Sequence, residues 1–297
     1  MKNYKLTIGI PTYYGGQSLV KTVKNILASK EVPAFRLIVT VDGNPLETKI
    51  YKQLKDLGVE VLNNKDRKGQ VGRIKQLIKI TKSGYLILTQ DDVIYESTTV
   101  KKMLNTLEND KKITMAAAKV LPVKSNSLLE SVLEVGVDLN YRIGNSWNYG
   151  SNYLLASGRC LAFKTDFIKK FTVPEQVINS DAYLYFENKR HGGIFKFIEN
   201  AKVYIKSPQT LKEHIKQSKK FQYSQQEISQ ISKDLNLENE YHIPTELIIK
   251  SYLEEFLLNP FYSFLYFADF IYTRTQMKNM YANKSRFWET DKSTKQI

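Results

Sequence analysis

The stretch YLILTQDDV (residues 85–93) runs from apolar residues straight into two adjacent carboxylates, Asp91 and Asp92. A short run rich in Leu and Ile, bounded by polar residues, predicts a buried β-strand. A strand that stops in paired acids either holds a cation or turns out into solvent. Taken alone, the two readings of this pair weigh about equally. The residues around it decide between them.

Upstream, the chain alternates strand and helix patterns. YKLTIGI (4–10) predicts a strand stopped by Pro11, and SLVKTVKNILAS (18–29) places Leu19, Val23, Ile26 and Leu27 at helical spacing. FRLIVTV (35–41) predicts a second buried strand that ends at Asp42 before the turn residues Gly43, Asn44 and Pro45. A helix through Tyr51 and Leu54, a strand VEVLN (59–63) and a basic helix from Val71 to Ile80 lead into YLILTQ. This order predicts an α/β fold with a mostly parallel sheet and right-handed crossovers. Ligands of such sheets sit outside the carboxyl ends of the strands. Pro11, Thr12, Tyr13, Asp42, Asp91 and Asp92 all follow strand ends, so they are expected to share one edge.

Composition narrows the partners. The chain has 297 residues, 42% of them hydrophobic, enough to fill a core. A formal charge of +14 points to an anionic partner: nucleic acid, phosphorylated small molecules or an anionic membrane surface. The single cysteine, Cys160, excludes an intramolecular disulfide and a Cys-rich zinc site, and makes a reducing compartment the default. No signal peptide is expected, because the N-terminal residues pass directly into a strand. No apolar run reaches the length of about 18 residues that a transmembrane helix needs.

Further along, residues 124–153 predict a helix followed by a long functional loop, and YLLASGRCLAF (153–163) a strand with a small-residue break at Ser157-Gly158. A helix starting near Ser180, a short strand pair around 195–206 and a long polar helix from about Gln209 to Asp234 complete this part. The segment ELIIKSYLEEFLLNPFYSFLYFADFIYTRTQMK (246–278) differs in character. Pro260 divides it into two helical pieces, and the second is dense in Phe and Tyr. It is too short and too interrupted by Asp269 to span a bilayer. Two aromatic-rich helices beside basic residues suit a contact with one membrane leaflet, or else packing on the domain or a second copy.

IGIPTYYGG, VTVDGN, RKGQVGRIK, LTQDDV, ASGRCLAF, NSDAYLYFENKRHGG and TLKEHIKQSKKF occur in this order over roughly residues 5–222. Together they resemble family 2 glycosyltransferases of the GT-A fold. The resemblance implies inverting transfer of a sugar from a nucleoside diphosphate donor, a UDP-sugar being the commonest, with a divalent Mn²⁺ or Mg²⁺. It implies a catalytic domain over residues 1–235 and leaves 236–297 as a helical, membrane-associating extension. A glycan or lipid-linked acceptor at the inner, cytoplasmic face of a membrane would make such a contact useful.

The resemblance also assigns roles. Asp91 and Asp92 match the family's Asp-x-Asp, with Gln90 in the first acidic position, so Asp92 is expected to be the direct metal ligand. Hard oxygen ligands suit such a cation and would neutralise a diphosphate leaving group. Asp42 falls where the family's acid meets the nucleobase, with Pro11, Thr12 and Tyr13 lining the same pocket. In RKGQVGRIK, Gly69 and Arg73 match the family's Gly-x-x-x-Ala-Arg-Asn, with Ile74 replacing the Asn; Lys68 and Arg73 are expected at the base or diphosphate, where a guanidinium fork is suited. Ser157, Gly158 and Arg159 resemble the segment beneath the donor sugar. Asp181 matches the last acid of the family's Glu-Asp pair, with Ser180 replacing the Glu, and is the expected base; Glu187 is the runner-up. Gln217, Lys220 and Phe221 match Gln-x-x-Arg-Trp, and His214, one turn earlier, is a candidate for diphosphate or metal.

Each residue also has a plainer reading: Asp42 a turn former, Asp181 a helix cap, Ser157-Gly158 a bulge, His214 a surface histidine. Two other functions compete with the transferase. A basic nucleic-acid-binding protein would explain the charge, but no recognised motif for it occurs. A sugar nucleotidyltransferase on a similar sheet would want a basic residue in the loop after the first strand, which PTYYGGQS (11–18) lacks. Without a membrane-spanning channel, addition of single sugars is expected rather than processive synthesis.

Overall fold

The computed structural model describes residues 4–218, 240, 242–275, 293 and 295. Its first half follows the alternation expected from the sequence: β1 (Leu6–Thr12), α1 (Gln17–Leu27), β2 (Phe35–Asp42), α2 (Thr48–Asp56), β3 (Glu60–Asn64), α3 (Gly69–Ile80) and β4 (Tyr85–Thr89). A two-residue strand β5 (Ile94–Tyr95), α4 (Thr99–Asn109), β6 (Ile113–Pro122) and α5 (Leu128–Ser146) follow. After a 3₁₀ turn over Trp147–Gly150 come β7 (Cys160–Lys164), α6 (Thr165–Ile168), α7 (Ser180–Arg190) and β8 (Ile194–Ile205). Residues 211–218 are helical. Helices α8 (Thr245–Leu258) and α9 (Pro260–Thr275) complete the described elements.

The strands form one eight-stranded sheet in the order β3-β2-β1-β4-β7-β6-β8-β5. Strands β3, β2, β1 and β4 are mutually parallel, whereas β7 runs antiparallel to both β4 and β6. Alternation along the strands feeds two layers, because successive side chains point to opposite faces. Leu37, Val39 and Val41 of β2 join Leu19, Val23 and Ile26 of α1 in one core, while Ile38 joins Val71, Ile74 and Leu77 of α3 in the other.

Three strand expectations need correction. Pro11 does not stop β1 but lies inside it, opposite Thr40. Pairing with β4 has already ended at Gly9, so the proline sits where a missing N–H is tolerated. The segment 153–163 becomes a strand only from Cys160; Ser157, Gly158 and Arg159 lie in the turn before it. The strand pair around 195–206 is a single strand, β8, whose register against β6 shifts twice.

The two last helices pack on α5, as the packing alternative required, and Pro260 does separate them. Their anchor is Glu255, which is buried and accepts from Arg142 Nε at 3.0 Å and Asn259 Nδ2 at 2.7 Å. The outward faces remain apolar: Leu257 is 82% exposed, and Phe261 and Phe264 are 62% and 64% exposed. Among the described residues, no helix is long and apolar enough to cross a membrane.

At Gly136 of α5, an added Cβ would lie 2.6–2.8 Å from the Tyr266 ring of α9. An exposed Gly→Ala change inside a helix ordinarily stabilises by about 1 kcal/mol. Here overpacking of about 1–3 kcal/mol opposes it. Gly136→Ala should therefore lower the midpoint of thermal unfolding, with earlier proteolysis of α9, whereas a raised midpoint would mean that the helix is not docked on α5.

Candidate active site

Strand ends build the site. Thr12 closes β1, Asp42 closes β2, and Asp91 and Asp92 follow β4 directly after Gln90. Both acids of the pair are buried. The Thr12 hydroxyl donates to Asp91 Oδ2. Arg159 NH1 donates to Asp92 Oδ1 at 2.8 Å, and the Lys295 ammonium bonds Asp91 Oδ1 and lies 3.2 Å from Asp92 Oδ2. Burial alone would raise Asp92, but Arg159 and Lys295 outweigh it and hold the carboxyl below its ordinary value. Burial likewise pushes the Lys295 ammonium down, and Asp91 and Asp92 bring it above the usual lysine value.

Asp181 stands in the first turn of α7, whose N-cap Asn179 accepts from the Ala182 N–H at 3.3 Å. Its Oδ2 accepts from the Gly158 N–H at 2.8 Å, and its Oδ1 from the Ser180 hydroxyl at 3.0 Å. Only a glycine admits this approach: a Cβ on residue 158 would fall 2.2–2.6 Å from the Asp181 carboxylate. Asp181 and Gly158 line one narrow cleft with Pro11, Gln70 and Thr89. Neighbouring residues Gly158 and Arg159 thus hold the two acidic centres, one through its backbone and the other through its side chain.

The structure distributes the remaining candidates differently from the sequence expectation. Asp42 accepts from the N–H groups of Lys68 at 2.8 Å and Gly69 at 2.9 Å, and from Arg73 Nε at 2.7 Å. Arg73 is buried and also bonds Asp66 and Gln76, so it braces the wall of the site from inside. The Lys68 ammonium reaches Asp66 at 3.3 Å. Tyr13 is half-buried, with the Arg67 guanidinium 4.0 Å above its ring. Ser157 Oγ accepts from the Arg159 N–H at 3.4 Å.

His214 lies in the helical residues 211–218, where its Nε2 is 2.7 Å from Asp269 of α9, so the structure pairs it with the last helix and not with the acid pair. Gln217 is in the same helical segment. Lys220 and Phe221 lie outside the described residues. Glu187 is buried against the Thr172 N–H, Arg190 and His191, which removes it from the reacting edge. Cys160 is buried, and its thiol is pushed up to about 12. Among the described residues, the sequence reading missed Gln70 and Thr89 in the cleft and Lys295 at the acid pair, a lysine in a polar stretch with no motif around it.

Among the described residues no cluster of three His, Cys, Asp or Glu side chains is placed to hold a metal. Two carboxylates are nevertheless the usual protein share for a cation that also binds phosphates and water. That the acid pair accepts an ammonium between its oxygens shows a place shaped for positive charge, so the residues present fit such an ion.

A family model described as "Glycosyltransferase like family 2" matches residues 4–224. No curated protein matches the chain. Among solved structures, the mannosyltransferase PcManGT from Pyrobaculum calidifontis, in complex with GDP-Man and Mn²⁺, is 14% identical with a TM-score of 0.59, over 93% of this chain and 76% of that one. TarS 1–349 from S. aureus is 14% identical with a TM-score of 0.55, over 86% and 72%. Glucosyl-3-phosphoglycerate synthase from Mycobacterium tuberculosis, in complex with phosphoglyceric acid, is 12% identical with a TM-score of 0.51, over 71% and 75%. At these identities the likeness is one of fold, that of the GT-A glycosyltransferases.

Because Arg73 is buried against Asp42, Asp42→Ala would strand a guanidinium and two backbone N–H groups. Removing one partner of a buried pair costs about 3–5 kcal/mol. Urea unfolding of Asp42→Ala should show a loss of this size, and a loss within about 0.5 kcal/mol would return Asp42 to a purely ligand-facing role.

Proposed function

The chain belongs to glycosyltransferase family 2, and on that premise we propose that it moves a sugar from a nucleoside diphosphate sugar, a UDP-sugar, onto a hydroxyl of a glycan or lipid-linked acceptor with inversion at the anomeric carbon. The observation that carries this reading is the Gly158-Arg159 pair, which meets Asp181 through a backbone N–H and Asp92 through a guanidinium.

Asp181 is the base. Each of its oxygens accepts one fixed hydrogen bond and keeps a lone pair for the acceptor proton. As that proton leaves, the acceptor oxygen bonds the anomeric carbon and the bond from that carbon to the diphosphate oxygen breaks. Asp92 and Asp91 would hold a divalent cation, Mn²⁺ or Mg²⁺. When bound, such a cation neutralises the charge that grows on the departing diphosphate. Arg159, already beside Asp92, offers its remaining donors to the same phosphates. Tyr13 supplies an aromatic face for the base.

Residues 1–235 form the catalytic unit in this reading, and 236–297 a helical extension that rests on the cytoplasmic face of a membrane during synthesis of cell-surface polysaccharide or glycolipid. The exposed Leu257, Leu258, Phe261 and Phe264, on a chain of charge +14, support that contact.

Three measurements check these assignments. Asp181→Asn should lose transfer by more than about a hundredfold, the usual range for a general base, while UDP binding stays within twofold; retained turnover would remove Asp181 as base. The double variant Leu257→Ser, Phe261→Ser should sediment with anionic vesicles at least about tenfold less than the wild type, since each buried apolar side chain contributes about 1.5–3 kcal/mol. Unchanged sedimentation would assign the apolar face to protein packing instead. A thermal-shift screen of nucleoside diphosphates and their sugars, with and without Mn²⁺, reads donor and metal together.

A further inference from the structure

Lys295 is far from the acid pair in sequence, yet its ammonium lies between the two carboxylates, bonded to Asp91 Oδ1 and 3.2 Å from Asp92 Oδ2. A second contact steadies this placement. Ser293 donates its N–H to Glu213 Oε1 at 3.3 Å and its hydroxyl to Glu213 Oε2, and its Oγ accepts from the Gln209 N–H at 3.2 Å. The approach therefore has a latch on Gln209 and on Glu213 in the first turn of the helical residues 211–218, and a charged tip in the acid pair.

We propose that Lys295 is a resident of the donor site that serves as its internal counter-ion, and that a divalent cation and the donor diphosphate can bind Asp91 and Asp92 only as Lys295 withdraws. The inference rests on the assignment of the acid pair as the metal site. Its physical basis is exclusion and charge. An ammonium hydrogen-bonded to one acid and within ion-pair distance of the other occupies the space a shared cation needs. With Arg159 it also balances the two acids, so that without donor the buried charges are neutralised. A metal ion alone gains less from displacing Lys295 than a metal ion arriving with a diphosphate, which supplies the negative charge that the freed ammonium and Arg159 then face. Metal and nucleotide binding should therefore be strongly coupled in the wild-type chain.

Competition of this kind lowers apparent affinity by the fraction of molecules already open; a site closed nine-tenths of the time binds about tenfold more weakly than its intrinsic constant. The test is titration of the full-length protein with Mn²⁺, read by electron paramagnetic resonance of the free ion, for wild type, Lys295→Ala, Ser293→Ala and Asp92→Asn, each with and without UDP. Lys295→Ala should bind Mn²⁺ alone about tenfold more tightly than wild type and lose most of the enhancement by UDP. Ser293→Ala, which loosens the latch and leaves both acids intact, should shift in the same direction by a smaller factor. Equal Mn²⁺ affinity for wild type, Lys295→Ala and Ser293→Ala, with Asp92→Asn impaired, would overturn the role of Lys295 and keep the metal site. Mn²⁺ binding that is absent throughout, or indifferent to Asp92→Asn, would overturn the metal site itself and the inference with it.

Discussion

Two carboxylates buried side by side at the end of a strand must be met by positive charge, and much of this molecule is arranged around that constraint. Repulsion between adjacent acids, with little water to screen it, would otherwise cost several kcal/mol. The chain answers from three directions: a hydroxyl from β1, a guanidinium from the turn before β7 and an ammonium from Lys295. None of these is local to YLILTQDDV. The acid pair is therefore a product of the whole sheet, and any ligand that replaces one of its partners has to restore the balance.

The parallel half of the fold could be read in the sequence because its signals are local. Apolar runs of strand length, helical spacing in between and turn residues at the boundaries were enough to order β1 to β4 and to bring Asp42, Asp91 and Asp92 to one edge. The antiparallel β7 could not be read that way. Its defining fact is a pairing of Thr89 with Cys160, across residues whose strand character is confined to a few positions. Pro11 misled because its cost depends on whether a neighbouring strand is present at that level, and β4 pairs no further than Gly9.

The site divided along similar lines. Asp181 could be picked out by its resemblance to the family's Glu-Asp pair, but the contact between the Asp181 carboxylate and Gly158 emerged only from their approach in space. Arg73 shows the opposite case. Its match to the family's Gly-x-x-x-Ala-Arg-Asn suggests a contact with the base or diphosphate, yet its guanidinium is turned inward to Asp42 and Asp66. Charge type alone does not tell an outward from an inward arginine; the partner does. Lys295 had no signal at all, since a lysine acquires meaning here only through a contact with residues more than half the chain away. Family membership sets aside the nucleic-acid reading that the net charge had permitted.

The pairing of β4 with β7 has one more consequence. Thr89 faces Cys160 in the register, so the residues just beyond, on the two chains leaving the sheet, are the acid pair on one side and Gly158-Arg159 on the other. Hydrogen bonding between two strands thus acts as a ruler: it places Arg159 against Asp92 and, one residue earlier, the Gly158 N–H against Asp181. A slip of one residue would turn each side chain of β7 to the opposite face and carry Arg159 away from Asp92. The separation of these two buried carboxylate contacts is thereby inherited from the pitch of a β-ladder and not from the length of a loop.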